Sequence, residues 1–130
     1  MARIGPIFVS HGSPMMALTD TPAHRFLRGL GDQMGHPRAI LCISAHWETR
    51  TPELSGVAQP ETIHDFYGFP PELYRLRYAA PGAPEIAQEA IGLLAETGID
   101  ARIDAGRGQD HGAWVPLLLM YPQADIPVTQ

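Results

Sequence analysis

Lysine is absent from this 130-residue sequence, which also has neither an excess of basic residues nor a long apolar run. Nine arginines stand against 14 acidic residues, and the formal net charge is -5. A chain of this charge offers no basic patch to neutralise phosphates, which argues against a nucleic-acid partner. No apolar stretch reaches the length that crosses a bilayer, so we expect no membrane partner either.

Cysteine is almost as scarce, because Cys42 is the only one. A single cysteine excludes a disulfide within the chain. Cys42 lies inside an apolar run, which predicts a buried and reduced thiol. Reduced thiols are typical of cytoplasmic proteins, so we expect a cytoplasmic location.

Apolar runs alternate with helical stripes along the chain, and the length suits one domain with a hydrophobic core. The apolar runs predict strands over residues 4–10, 39–45, 54–58 and 101–104, and another from residue 126. The stripes predict helices over residues 22–34, 84–97 and 114–120. This alternation predicts an α/β fold with a mostly parallel sheet that is covered by helices on both faces.

His11 and His46 occupy matching positions, each at the end of a predicted strand. A single histidine in such a place is more often a hydrogen-bonded structural residue than a ligand. Open α/β sheets place their ligands at strand ends, however, so the two imidazoles are expected at one edge. Two neutral imidazoles brought together are half of a metal site, which indicates a metalloenzyme or part of one.

The long loop 59–71 contains further candidates. His64 is followed by Asp65, and we expect at most one of these two neighbours to be functional. Phe66 and Tyr67 come next. These aromatic side chains either fill a gap in the core or form a stacking wall for a flat organic substrate.

His111 lies in a predicted loop, between Asp110 and Gly112. One interpretation makes it an acid-base or substrate-orienting histidine, because an imidazole titrates near neutral pH. The other makes it a surface histidine held by Asp110. These residues by themselves do not decide between the two.

Four motifs follow one another along the chain: HGSP at 11–14, SAHW at 44–47, TIHDFYGFP at 62–70 and DHGAW at 110–114. In this order they resemble the class III extradiol ring-cleavage dioxygenases, and within them the DOPA 4,5-dioxygenase-like branch. YAAPG at 78–82 and MYP at 120–122 also resemble that branch. The resemblance extends over residues 4–130.

The resemblance implies an α/β fold and a non-haem Fe(II) site, which is often recovered with Zn(II) in place of iron. By matching motif, His11 and His46 would be metal ligands and His111 the catalytic histidine that contacts substrate. His64, Phe66 and Tyr67 would line the substrate pocket. The implied reaction uses O2 to open the ring of a catechol such as DOPA.

Members of the resembled family continue well past the position of Gln130, and their third metal ligand lies in that later part. The resemblance therefore implies that residues 1–130 are the N-terminal portion of a single catalytic domain, truncated relative to the family. We expect this chain alone not to be a competent dioxygenase unless it self-associates or is completed by a second chain. A homo-oligomer is therefore left open.

Two other functions stay open. A small chelatase that inserts metal into tetrapyrroles is also a short α/β protein with a strand-end His-Gly-Ser, although the motifs at 62–70 and 110–114 do not resemble that family. A zinc-binding interaction module on the dioxygenase scaffold is the non-enzymatic alternative. Iron-dependent turnover of a catechol, metallation of a porphyrinoid, or tight zinc binding without turnover would distinguish the three.

Overall fold

The computed structural model of this chain describes residues 4–130. Its helices are a 3₁₀ helix Pro14–Ala17, α1 Pro22–Met34, α2 Pro71–Arg75, α3 Pro84–Glu96 and α4 His111–Met120. Its strands are β1 Ile40–Leu41, β2 Glu53–Ser55, β3 Arg102–Asp104 and β4 Val128–Thr129. None of the helices within the described residues has the length and apolarity that a membrane crossing needs.

The strands form two parallel pairs. β1 pairs with β4, with Ile40 opposite Val128, and β2 pairs with β3 in the same parallel sense. The amide of Ser55 donates a hydrogen bond of 2.7 Å to the carbonyl of Gln130, which joins β2 to the residue that follows β4. Parallel strands connected through helices confirm the predicted α/β class.

The predicted helix boundaries are confirmed where the sequence carries a cap or a stop. The Thr21 hydroxyl accepts a hydrogen bond from the His24 amide at the start of α1, directly before Pro22. Gly35 ends the helix with a φ of 79°, a conformation that glycine adopts without steric cost. α3 ends just before Gly98, which also has a positive φ, of 84°.

Two apolar clusters hold these elements together. In the larger one, α1 and α4 pack against each other, and the fully buried Trp114 and Ile126 lie in it together with Phe66. In the smaller one, α3 packs on β2 and β3 through Ala87. Since Phe66 belongs to the larger cluster, the aromatic loop lies against α4 rather than against α3.

The predicted strand over residues 4–10 is wrong. The segment forms no strand within the described residues, Phe8 is 96% exposed and Ile7 is 51% exposed. A strand needs a ladder partner as well as an apolar sequence, and among residues 4–130 no backbone hydrogen bond supplies one to this segment. The segment instead runs beside α1, where Ile7 and Val9 line an apolar cavity of about 370 Å³.

The predicted strand over 39–45 is shorter than expected. Only Ile40 and Leu41 are in β1, while Ile43 is 93% exposed. β1 pairs with β4 along one edge, and its other edge has no strand partner among residues 4–130. The strand predicted over 54–58 is also displaced, since β2 spans Glu53–Ser55.

Two helical segments differ from prediction. Residues 110–112 were expected to form a loop, but α4 already begins at His111, because the Asp110 side chain caps it by accepting from the Gly112 amide. The short helix α2 was not predicted, since five residues are too few to show a helical period.

Candidate metal centre

Three histidines from distant parts of the sequence meet at one place. The ring centroids of His11 and His46 are 5.0 Å apart, and the His111 ring lies 4.8 Å from the first and 4.0 Å from the second. Each ring offers one nitrogen, and the three nitrogens all lie within 4.8 Å of one another. The three side chains therefore form a group that could hold a metal ion.

The spacing of the first two imidazoles fits a shared ion. Nε2 of His46 lies 3.0 Å from Nε2 of His11. Two nitrogens that each bind a divalent ion at about 2.05 Å are about 2.9 Å apart at a right angle and about 3.3 Å apart at a tetrahedral angle. Without a proton or a cation between them, two facing lone pairs repel each other. The observed distance fits an N–H···N hydrogen bond between the two rings, and it equally fits two neighbouring ligands of one ion.

His11 is held in the form that binds metals. Burial lowers the pKa of its imidazole, and the nearby His111 and His46 lower the pKa further. Its Nδ1 atom is buried and has no hydrogen-bond partner within the described residues. A neutral imidazole keeps a free lone pair on one nitrogen, and in His11 the nitrogen that faces His46, Nε2, is the one that a metal ion would take.

Short turns aim His11 and His46 at each other. His11 is followed by Gly12, whose φ of 58° permits a tight turn into the 3₁₀ helix. On the other side, the Ser44 hydroxyl accepts a hydrogen bond of 3.2 Å from the His46 amide and so closes a turn in the segment that follows β1. The two rings thus converge although the predicted strand before His11 is not formed.

Asp65 fixes the orientation of His111. Its Oδ1 atom lies 2.8 Å from His111 Nδ1 and also accepts from the His111 backbone amide at 3.1 Å. Burial raises the pKa of Asp65, but the hydrogen bonds from His111 outweigh that effect and leave the pKa below its usual value. A carboxylate on Nδ1 keeps the proton there, which leaves the Nε2 lone pair of His111 free.

The loop that carries Asp65 is tied to the start of α4. The Ile63 amide donates to the carbonyl of Gln109 at 2.8 Å, and the Gln109 amide donates to the carbonyl of Glu61 at the same distance. The indole of Trp114 donates to the Ile63 carbonyl, also at 2.8 Å. Asp65 and His111 therefore lie on two segments that are locked together on either side of their contact.

The substrate-pocket candidates fall in different places. Phe66 is buried, and its ring meets the His111 ring edge-on with centroids 5.6 Å apart. Tyr67 is 93% exposed. His64 lies outside the three-histidine group, and its Nε2 atom lies 2.8 Å from the carbonyl of Leu76. Of the three, Phe66 is thus the one that directly contacts a clustered histidine.

Sequence reasoning gave no role to two carboxylates that the structure places beside the histidines. From the sequence, Asp65 is only the neighbour of His64, and Asp110 is only a possible partner of His111. The structure shows that Asp65 is the carboxylate on His111, whereas Asp110 bonds to Ser44 and Gly112. Aspartate is a preferred N-cap residue, and this preference could have predicted the capping role of Asp110. No local sequence signal links Asp65 to His111.

Curated relatives of the chain are dioxygenases. The chain is 52% identical over 127 residues to a 4,5-DOPA dioxygenase extradiol of Beta vulgaris, a match that covers 95% of this chain and 47% of the relative. It is 44% identical over 128 residues to the protein of the same name from Escherichia coli, covering 98% of this chain and 47% of the relative. The chain thus spans about half the length of these curated relatives.

A solved structure and a family profile agree with these relatives. The crystal structure of an uncharacterized protein from Escherichia coli K12 matches with a TM-score of 0.67 and 37% identity, over 87% of this chain and 41% of that one. Residues 5–130 match the family described as the catalytic LigB subunit of aromatic ring-opening dioxygenase. The chain therefore belongs to the LigB family of extradiol aromatic ring-opening dioxygenases.

Proposed function

We propose that this chain provides the metal centre of an extradiol dioxygenase that opens the ring of a catechol-type substrate with O2. The observation that carries the proposal is the convergence of His11, His46 and His111, which each bring one ring nitrogen to within 4.8 Å of the other two. Family membership supports ring opening as the reaction class. The relatives named as DOPA dioxygenases support DOPA or a related aromatic diol as the substrate.

We assign His11 and His46 as ligands of the metal. Their facing Nε2 atoms, 3.0 Å apart, support this assignment, as does the lowered pKa of His11, which favours its neutral form. Fe(II) is the proposed metal for activity, with Zn(II) as an inactive substitute. When bound, Fe(II) supplies the coordination positions at which a diol and O2 come together and the electron density that O2 requires.

We assign His111 as the catalytic acid-base residue. Asp65 holds the proton on Nδ1 of His111, so Nε2 is the atom that would accept a proton from a substrate hydroxyl. The ring of His111 lies 4.0 Å from the ring of His46, so a diol held beside His46 would be within reach of that nitrogen. Proton removal from the diol converts it to the form that binds a cation more strongly.

The aromatic loop is proposed to form the wall of the substrate site. Phe66 is held edge-on against His111 and against Phe69, which makes it a fixed apolar surface. Tyr67 is exposed and would contact the outer part of a flat substrate. His64 would stabilise the loop rather than contact the substrate, because its Nε2 atom contacts the Leu76 carbonyl.

Binding of a diol is the first test. Zn(II) loaded at one equivalent per chain is redox-inert, so the absorption of added 4-nitrocatechol reports deprotonation and binding without turnover. We expect a shifted spectrum with the Zn(II)-loaded chain and an unshifted one with the metal-free chain. His111→Gln should weaken this binding by at least about 10-fold, whereas His36→Gln, at an exposed histidine paired with Asp125, should not.

Ring opening is the second test. The Fe(II)-loaded holoenzyme that carries this chain should convert L-DOPA to a yellow product in air, with one O2 consumed per diol. A holoenzyme that binds both Fe(II) and the diol but consumes no O2 would contradict the proposal. Tight Zn(II) without diol binding would favour an interaction module, and the family match leaves the chelatase alternative without support.

A further inference from the structure

Asp110 is a fully buried carboxylate between the segments that carry His46 and His111. Its Oδ1 atom accepts from the Ser44 hydroxyl at 2.6 Å and from the Gly112 amide at 2.9 Å. Four donors in all reach the two oxygens, so its lone pairs are occupied in directions set by different parts of the chain. The proposed reaction gives this carboxylate no part.

The Oδ1 side of Asp110 connects the two histidine segments. The Ser44 hydroxyl that donates to Asp110 also accepts from the His46 amide, at 3.2 Å. Gly112 is in the first turn of α4, which begins at His111. One carboxylate oxygen therefore joins the turn before His46 to the helical turn that carries His111.

The Oδ2 side anchors the carboxylate itself. Arg107 Nη2 donates to it at 2.9 Å and Gln130 Nε2 at 2.6 Å. The Gln130 side chain also accepts from the Asp110 amide, at 3.3 Å. The charge of Asp110 is thus matched by one arginine, and the position of the carboxylate is fixed relative to β4.

The two segments approach too closely to be held by packing of large side chains. A Cβ atom on Gly112 would overlap the Ser44 hydroxyl and lie 3.0 Å from the His46 ring. The approach brings the rings of His46 and His111 to 4.0 Å. A small shift of either segment would change the distance between these two imidazoles directly.

We propose that Asp110 is a positioning residue, which through Ser44 and Gly112 sets the spacing of the His46 and His111 imidazoles at the metal centre. This inference rests on the proposed function, which makes His46 a metal ligand and His111 the acid-base residue beside it. Outer groups that orient metal ligands typically contribute about 10- to 100-fold in affinity or activity. Asp110 acts here on the backbone and turn that carry a ligand, rather than on the ligand ring.

The variants are Asp110→Asn and Ser44→Ala. Asparagine retains the capping oxygen of α4, but its amide nitrogen is a donor and can accept from neither Arg107 nor Gln130. Tyr78→Phe is the matched control, because it removes a buried hydrogen bond of 2.9 Å to the Tyr121 carbonyl, away from the histidines. All variants are compared with the wild-type chain as folded protein, and urea unfolding measures the stability of each.

The first readout is Zn(II) affinity, from competition with a chromophoric chelator, together with the absorption bands of the Co(II)-loaded chain. We expect Asp110→Asn to weaken Zn(II) binding by about 10-fold or more and to shift the Co(II) bands. Tyr78→Phe should lose stability and keep the wild-type affinity and spectrum. A merely structural Asp110 would behave like Tyr78→Phe, and that result would overturn the inference.

The second readout needs no metal. Imidazole ¹⁵N and ring-proton resonances of the metal-free chain report the surroundings of each histidine. Asp110→Asn should shift the His46 and His111 resonances and leave those of His36 in place; unchanged His46 and His111 resonances would overturn the inference. If the wild-type chain binds no Zn(II), the proposed function fails, and these resonances still decide whether Asp110 positions the two rings.

Discussion

The Oδ1 atom of Asp65 lies 2.8 Å from His111 Nδ1 and 3.1 Å from the His111 amide nitrogen, so one carboxylate oxygen fixes both the ring and the backbone of this residue. The two residues are 46 positions apart in the sequence. A histidine held in this way has a defined tautomer, with its second nitrogen directed away from the carboxylate. The proton-accepting role proposed for His111 depends on that arrangement.

Replacement of Asp65 should therefore change diol binding rather than metal binding. In Asp65→Ala the His111 ring loses its orientation, and we expect 4-nitrocatechol to bind the Zn(II)-loaded chain at least about 10-fold more weakly. Zn(II) affinity should stay within a factor of about three, because His11 and His46 are unaffected. Asp125→Ala is the control, since it removes a carboxylate 3.3 Å from the exposed His36. Equal diol binding by Asp65→Ala and wild type would contradict the assignment.

The metal-free chain should lose stability in acid. The folded-state pKa of His11 lies below its usual 6.5, because of burial and the nearby His111 and His46, and that of Asp65 lies below its usual 3.8. Both groups are more readily protonated in the unfolded chain, so the free energy of unfolding falls as pH falls. The His11 contribution is lost below about 6.5 and the Asp65 contribution below about 3.8.

Urea unfolding of the metal-free chain between pH 8 and pH 3 checks this dependence. His11→Gln should flatten the loss of stability that begins near the usual histidine pKa, while Asp65→Asn should flatten the loss at lower pH. An unfolding free energy that stays constant as the histidines titrate would show that His11 is not held in its neutral form by the fold.

Alanine substitutions at two glycines of α1 should have opposite effects on stability. A Cβ atom on Gly31 would overlap the carbonyl oxygen of Met120, at the contact between α1 and α4. On Gly29 it would meet nothing within 4 Å. Gly31→Ala should therefore lower the free energy of unfolding by about 1–3 kcal/mol, as overpacking does. Gly29→Ala should raise it by about 0.5–1 kcal/mol through helix propensity.

Thermal and urea unfolding of the two alanine variants test this contrast within one helix. Because both changes add the same methyl group, the difference between them isolates the contact with α4. Equal effects of the two substitutions would show that α1 and α4 are further apart than the structure places them.

The thiol of Cys42 should react slowly in the folded chain. Burial, and to a lesser extent the charge of Asp110, raises the pKa of this thiol to about 11. Since the thiolate is the reactive form, alkylation by iodoacetamide at neutral pH should be at least about 10-fold slower in the folded chain than in urea. Mass spectrometry follows the labelling, with Cys42→Ser as the blank. A folded chain alkylated as fast as the unfolded one would contradict the raised pKa.

Helices that begin at a capping side chain or end at a glycine were predictable from the sequence. Thr21 caps α1, and Gly35 ends it, because a hydroxyl acceptor and a positive φ act within a few residues. These cap and stop signals are local, so one sequence is enough to read them. The meeting of His11 and His46 was also predicted, but from two strand ends, and the first of those strands is not formed.

Features that depend on a distant partner were not predictable in the same way. The apolar run 4–10 is typical of a strand, yet Phe8 is exposed and the run pairs with nothing among residues 4–130. Pairing and burial come from other segments, which the run itself does not specify. The contact of Asp65 with His111 is of the same kind, because its two residues lie in different motifs.

The central claim is that His11 and His46 bind one metal ion together, and a Zn(II) titration against a chromophoric chelator tests it most directly. We expect the wild-type chain to bind one Zn(II). His11→Gln and His46→Gln should each weaken this binding by more than about 100-fold, whereas His36→Gln should leave it unchanged. Wild-type affinity in both the His11→Gln and the His46→Gln chains would contradict the claim.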